Sequence, residues 1–150
     1  MSSRLQSPIR VAIFNDIQHH LDIMAAILAG EADVHAVALG TRVEDVLKVA
    51  RASAIDVFLI NMSLPVGGAI AAIDDLRAEY PNANALLWSS WISLSDPSFG
   101  AILQAQAAGY DGIVNVPWRK SEIIRTIRQV SSGMSAAPGA AGQAPVQPGP

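Results

Sequence analysis

The chain has 150 residues, with ten lysines and arginines, thirteen acidic residues and no cysteine. This length is typical of one domain, and the lack of cysteine excludes disulfide scaffolds, thiol nucleophiles and thiolate metal sites. A net charge of −3 provides no basic field for nucleic acid, and no apolar run approaches the ~20 residues of a membrane span. The sequence therefore predicts a cytoplasmic domain with no direct nucleic-acid contact and no membrane contact.

Composition divides the chain into a folded part, predicted over residues 8–133, and a tail. No charged residue follows Arg128, and Ser135–Pro150 contains five alanines, four prolines and three glycines. A segment of this composition has almost no large apolar side chain to bury and tends to stay extended. Residues 134–150 are therefore predicted to form a disordered tail or linker.

Five short apolar runs predict five β-strands. They are Val11–Phe14, Val34–Leu39, Val57–Ile60, Ala85–Trp88 and Ile113–Val114. All except the second lack alternation with polar residues, which is typical of strands covered by helices on both faces.

Five segments with the 3.6-residue period of a helix alternate with these strands. The first has its apolar face from Ile17 to Leu28 and ends at Gly30. The second begins at Thr41, and Glu44 three residues later predicts a capping box. The other three patterns are Ile70–Tyr80 before Pro81, Phe99–Leu103 after Asp96 and Pro97, and Ile123–Val130 before Gly133.

Strict alternation of strands and helices predicts an α/β fold: a doubly wound parallel sheet of five strands in the order 2-1-3-4-5, with five helices. Ligands bind such sheets in a crevice beyond the carboxyl ends of the first and third strands. This rule selects Asn15, Asp16 and Asn61 as the candidate site. Ser89 and Val116, after the fourth and fifth strands, are predicted to border it.

The chemistry of these side chains argues against catalysis. One carboxylate with two amides is a weak magnesium site, so no metal site is predicted and Asp16 is at most a weak remnant of one. The amide of Asn61 is too poor a nucleophile to form an acyl phosphate. The turn after the first strand has no glycine for a nucleotide-binding loop, and no nucleophile–base pair is evident. The sequence predicts neither an enzyme nor a cofactor.

Five local patterns occur in a fixed order along the chain. They are Val11–Asp16, Asp56–Pro65, Leu76–Pro81, Ala107–Gly112 and Val116 with Pro117. In this order and spacing the sequence resembles the receiver domains of bacterial two-component response regulators, over residues 8–133. The resemblance implies the flavodoxin-like (βα)5 receiver fold and a role in phosphorelay signalling.

The resemblance also shows where this sequence departs from the family. Receivers carry an acidic pair after the first strand, a phospho-accepting Asp after the third and a hydroxyl after the fourth. The fifth strand carries an aromatic switch residue and is followed by a lysine before proline. In the same order, these positions hold Asn15 with Asp16, Asn61, Ser89, Ile113, and Val116 with Pro117. The acceptor, the lysine, one acid and the aromatic residue are replaced, which implies a degenerate pseudo-receiver.

Three functions follow from this comparison. The first is a protein-interaction or dimerisation module that acts independently of aspartyl phosphorylation, with a signalling protein or a second copy as partner. Its predicted partner face around the last helix comprises Trp91, Ile113, Trp118, Arg119, Lys120, Arg125 and Arg128. The plainer alternative for the cations is a solvated helix whose charges complement the helix dipole.

The other two functions use the altered crevice. In one, a neutral crevice lined by Trp88, Trp91, Val116 and Trp118 senses an apolar small molecule. In the other, the domain is still phosphorylated at a surrogate residue such as Asp16 or Ser89.

Overall fold

The computed structural model describes residues 7–62, 64, 68–89, 111–115 and 119–133, with the backbone alone at Ser89, Ile113 and Asn115. Five strands are present: β1 (Ile9–Phe14), β2 (Val34–Gly40), β3 (Val57–Asn61), β4 (Ala85–Ser89) and β5 (Gly112–Asn115). Four helices lie within the described residues: α1 (Gln18–Ala29), α2 (Val43–Ala52), α3 (Gly68–Glu79) and α4 (Lys120–Ser131). The helix predicted after Pro97 and the tail predicted at 134–150 lie outside them.

The strands form one parallel sheet in the order β2-β1-β3-β4-β5. This order confirms the predicted doubly wound topology. In the centre of the sheet Phe14 pairs with Ile60, and Ile60 pairs with Leu87. Because all strands run the same way, their carboxyl ends share one edge of the sheet, and the crevice is expected at that edge. None of the helices in the described part of the chain is long and apolar enough to cross a membrane.

The two faces of the sheet bury separate hydrophobic cores. On one face α2 and α3 cover a core that includes Phe14 and Phe58, whose rings stack with centroids 6.3 Å apart. On the other face α1 and α4 cover a core that includes Ile13, Leu59 and Trp88. Alternate residues of the central strands therefore point into different cores, which is why their sequences show no polar alternation.

The helix starts differ from the sequence prediction in two details. The carboxylate of Asp45, rather than Glu44, accepts the backbone N–H groups of Thr41 and Arg42, each at 3.1 Å. The predicted capping box is wrong by one residue because α2 begins at Val43, which places Asp45 at its third position. Glu44 instead pairs with the guanidinium of Arg42 at 3.2 Å.

The apolar face of α1 also begins later than predicted. Ile17 precedes the first helical residue and is 47% exposed, whereas Leu21, Met24 and Leu28 are buried. The predicted end of the helix is confirmed, since Gly30 is its C-cap residue.

Three helices end with an arginine in the last turn that binds a carboxylate from another part of the fold. The pairs are Arg51–Glu79, Arg77–Asp111 and Arg128–Asp33, with N···O distances of 2.5 to 2.9 Å. A cation there also complements the negative end of the helix dipole. Because each helix runs back against the strands, these pairs lie at the edge where the strands begin, opposite the crevice.

We expect Gly40, the last residue of β2, to tolerate no side chain. A Cβ atom there would lie 2.8 Å from both the ring of Phe14 and the Cβ of Asp45, so Gly40→Ala must displace one of them. The expected loss is about 1–3 kcal/mol in the free energy of unfolding, measured by urea denaturation. The matched control is Gly30→Ala, whose added methyl meets the flexible end of Lys120 and has a small effect. Equal losses for the two variants would contradict this account.

Candidate functional site

Asn15 is the first residue after β1 and is almost fully buried, with 1% exposure. Its backbone N–H donates to the carbonyl of Gly40 at 3.1 Å, and its side-chain Oδ1 accepts the N–H of Ile17 at 2.9 Å. This short loop between an Asn side chain and the residue two positions later is an Asx turn. Because a backbone N–H bonds only to the oxygen, the bond fixes the orientation of the amide.

The other end of that amide is a buried donor. Asn15 Nδ2 has no hydrogen-bond acceptor among the described residues. A donor in this position cannot coordinate a cation, whereas the second oxygen of an aspartate could. The Asx turn thus places a hydrogen-bond donor, rather than a ligand for a cation, at the end of β1.

Asn61 is the last residue of β3 and is also buried, with 7% exposure. It lies one residue beyond Ile60, the partner of Phe14, so Asn15 and Asn61 follow paired positions on neighbouring strands. Backbones at such positions are about 5 Å apart. The carbonyl of Asn61 accepts the N–H of Leu64 at 3.3 Å, which turns the chain out of the sheet. The structure therefore brings the two predicted amides together.

Gly68 helps to shape this edge and was not predicted. It begins α3 with φ of +66°, a conformation that favours glycine, and a Cβ there would lie 3.2 Å from the carbonyl of Met62. The adjacent pair Gly67 and Gly68 is the sequence signal that marks such a tight return.

The remaining predicted crevice residues are placed as follows. Asp16 is exposed, and the backbone of Ser89 pairs with Asn115 of β5. Trp88, proposed as a crevice wall, is 5% exposed and packs in the core beneath α1 and α4. Val116, Pro117, Trp91 and Trp118 lie outside the described residues, and Ile113 is described by its backbone, which pairs with Leu87.

These side chains do not fit a magnesium ion. Among the described residues that end or directly follow β1 and β3, Asp16 is the single ionisable group. The oxygen of Asn15 is engaged by a backbone N–H, and its nitrogen cannot be a ligand. Magnesium sites use one or two carboxylates together with phosphate or water oxygens. In the described part of the chain no cluster of three His, Asp or Glu residues suits a metal ion.

The predicted partner face on α4 is partly used within the chain. Arg128 donates to Asp33 at 2.8 and 2.9 Å and to Glu31 at 2.9 Å, and Lys120 lies 3.6 Å from Glu31. The hydrogen bond from Arg128 lowers the pKa of Asp33 below its ordinary value, and it raises the pKa of Arg128. Arg125, by contrast, forms no ion pair with the described residues. Two of the four predicted cations therefore tie α4 to the segment between α1 and β2.

Sequence comparisons give no relative: no family model matches the chain, and no curated protein sequence matches it. Solved structures do match its fold. A LuxR-family two-component response regulator from Aurantimonas sp. is 20% identical, with 91% of this chain and 94% of that chain covered and a TM-score of 0.79.

Two further solved structures also match the fold of this chain. The signal receiver domain of the response regulator NarL from Mycobacterium tuberculosis is 18% identical, with 85% and 99% covered and a TM-score of 0.76. The response regulator domain of Thermotoga maritima CheB is 17% identical, with 83% and 97% covered and a TM-score of 0.73. The chain has the fold of a response-regulator receiver domain. In this receiver fold, the residue that ends β3 is Asn61.

We expect Arg128→Gln to destabilise this receiver fold at neutral pH and not in acid. Asp33 has a lowered pKa when folded, so its contribution is present above the unfolded carboxyl pKa and is lost as pH falls through the folded pKa. Exposed pairs contribute about 0.5–1 kcal/mol, which corresponds to a fall in Tm of about 1–4 °C.

The control for this prediction is Arg125→Gln, an exposed arginine on the same helix. Thermal unfolding of both variants is compared at neutral pH and well below the ordinary Asp pKa of 3.8. A loss of Tm for Arg128→Gln that is the same at both pH values would contradict the role of the carboxylates.

Proposed function

We propose that this chain is a pseudo-receiver: a signalling module of the two-component type that acts through protein contacts and independently of aspartyl phosphorylation. The observation that carries the proposal is the fixed amide of Asn15, which presents a buried N–H donor where a metal ligand is needed. The cytoplasmic location predicted from the sequence is part of this proposal.

Phosphorylation of a receiver requires a carboxylate oxygen that attacks phosphorus and a divalent cation that neutralises the phosphoryl oxygens. At the end of β3 this chain has the amide of Asn61, whose electron pair is delocalised and whose product would not be an acyl phosphate. The ligands for the cation are therefore missing after β1, and the carboxylate that accepts phosphorus is missing at the end of β3.

The replaced residues are consistent with one another electrostatically. Three carboxylates in one pocket repel each other, and a cation and a lysine offset that repulsion. With amides at positions 15 and 61, a lysine at position 116 would lose two of its three carboxylate partners, and the sequence has Val116. A buried charge without a partner is costly, so loss of the acids favours loss of the lysine. The set describes a pocket adapted to a neutral state.

We expect the wild-type protein to show no saturable amide NMR shifts at residues 15, 16 and 61 when titrated with magnesium and then beryllofluoride. The reason is that the carboxylates that would bind magnesium are missing, and not that the site is misfolded. The matched control is the triple variant Asn15→Asp/Asn61→Asp/Val116→Lys, which restores two carboxylates and the ammonium. This variant is expected to bind magnesium with millimolar affinity and then beryllofluoride.

Saturable wild-type shifts of receiver type would overturn the proposal. Intact-mass spectrometry after incubation with acetyl phosphate distinguishes the pseudo-receiver proposal from the hypothesis that a surrogate residue is phosphorylated. A phosphoryl adduct that is lost in Asp16→Asn or Ser89→Ala would identify the surrogate residue.

The buried donor of Asn15 also favours a second candidate function, the sensing of a neutral small molecule. Asn15 Nδ2 has no acceptor among the described residues. A buried N–H without an acceptor costs about 1–3 kcal/mol, and a ligand oxygen that reached it would recover part of that cost. A thermal-shift screen tests this: a compound that stabilises the wild type and has no effect on Asn15→Asp would support a crevice ligand.

A further inference from the structure

A cavity of about 460 Å³ lies at the edge of the sheet where β3 and β4 begin, opposite Asn15 and Asn61. Phe58, the second residue of β3, is 3% exposed and forms its floor. Its walls are largely the two segments that directly follow helices: residues 53–55 after α2 and residues 80–83 after α3. The volume is within the range of ~300–1,000 Å³ that is usual for small-molecule sites.

The walls of this cavity are mainly apolar, and several of the side chains are small. Alanines line it at positions 50, 54 and 83, where a leucine or isoleucine would fill part of the space. Tyr80 and Ile55 are half-buried and pack against the core that contains Phe58. The cavity therefore continues the apolar surface of that core outwards, with one aromatic ring at its floor and another at its side.

One ion pair keeps the cavity free of net charge. Among the described residues that line it, Glu79 alone carries a charge at neutral pH. Both carboxylate oxygens of Glu79 accept hydrogen bonds from Arg51, from Nε at 2.8 Å and from Nη2 at 2.5 Å. The same pair joins the ends of α2 and α3, which are two walls of the cavity. A charged ligand would find no free partner here, so an uncharged ligand is favoured.

The helix ends make the mouth of the cavity rich in hydrogen-bond acceptors. The last carbonyl groups of a helix have no partner within it and form the negative end of its dipole. In α2 the carbonyl of Val49 accepts the N–H of Ser53, whereas the carbonyls of residues 50–52 accept no hydrogen bond from the described residues. A ligand that carries an N–H or O–H donor therefore suits this mouth better than a ligand with acceptors alone.

We propose that this cavity binds an uncharged aromatic molecule that has one or two fused rings and an N–H or O–H donor. The rings lie over Phe58 and beside Tyr80, and the donor binds a carbonyl at the end of α2. The inference goes beyond the function proposed above, because this site is at the opposite edge of the sheet from Asn15 and Asn61. Occupancy adds contacts between α2 and α3 and therefore stabilises the fold.

Indole is a suitable probe of this chemistry, and amide NMR of the full chain tests its binding. We expect saturable shifts concentrated at residues 53–55, 79, 80, 82 and 83, with a Kd of about 0.1–1 mM for a ligand of this size. Residues 15, 16 and 61 are expected to keep their shifts. Benzofuran has oxygen in place of the N–H of indole, so it is expected to bind about three- to tenfold more weakly.

Ala50→Leu fills part of the cavity from α2 and is expected to weaken indole binding about tenfold or more. Leucine is a good helix former, so the helix itself is retained. Ala83→Leu fills the cavity from the other wall and is expected to act in the same way. The matched control, Ala78→Leu, adds the same side chain at an exposed position of α3 outside the cavity and leaves Kd unchanged. Unchanged circular dichroism and Tm show that the variants are folded.

Absence of saturable shifts up to the solubility limit of indole would overturn the inference, and so would equal weakening in Ala50→Leu and Ala78→Leu. Saturable shifts at residues 15 and 61 instead would place the ligand in the crevice and would also overturn it. The beryllofluoride titration probes the opposite edge of the sheet, so the phosphorylation claim and the cavity claim succeed or fail separately.

Discussion

Burial of the two central strands on both faces is the constraint that shapes this molecule. Every residue in Val11–Phe14 and Val57–Ile60 is buried, so the first polar groups beyond them lie at the end of each strand. Those groups are Asn15 and Asn61, which are themselves buried. A carboxylate at such a depth needs a cation to offset its desolvation, whereas an amide needs hydrogen bonds alone. The two asparagines can therefore be buried at this edge of the sheet without a metal ion to neutralise them.

The sequence was sufficient to predict the strands and the sheet edge at which Asn15 and Asn61 lie, because both depend on strong local patterns. Uninterrupted apolar runs mark strands buried on two faces, and the topology rule then places their carboxyl ends together. The capping carboxylate was misplaced because Glu44 and Asp45 are adjacent and the start of the helix decides between them. The Asx turn at Asn15 depends on backbone geometry that no residue pattern specifies.

Long-range ion pairs were beyond prediction for a different reason. Arg128 and Asp33 are ninety-five positions apart, and their pairing depends on how α4 packs beside α1. The sequence shows the basic residues of the last helix, but it does not show which carboxylates pair with them. At the edge where the strands begin, ion pairs between distant residues connect the elements, whereas at the other edge Asn15 is held by backbone hydrogen bonds and Asp45 caps α2 locally.

The residues at the carboxyl ends of β1 and β3 limit how such a module can be regulated. A covalent phosphoryl group shifts a receiver between conformations because it interacts differently with each of them. In the proposed pseudo-receiver, a shift would come from a partner whose affinity differs between conformations, or from the amount of partner present. Attachment to a common assembly raises the effective concentration of each partner, so a weak contact can respond to local concentration. The signal would then be read from proximity, which requires no chemistry in the crevice.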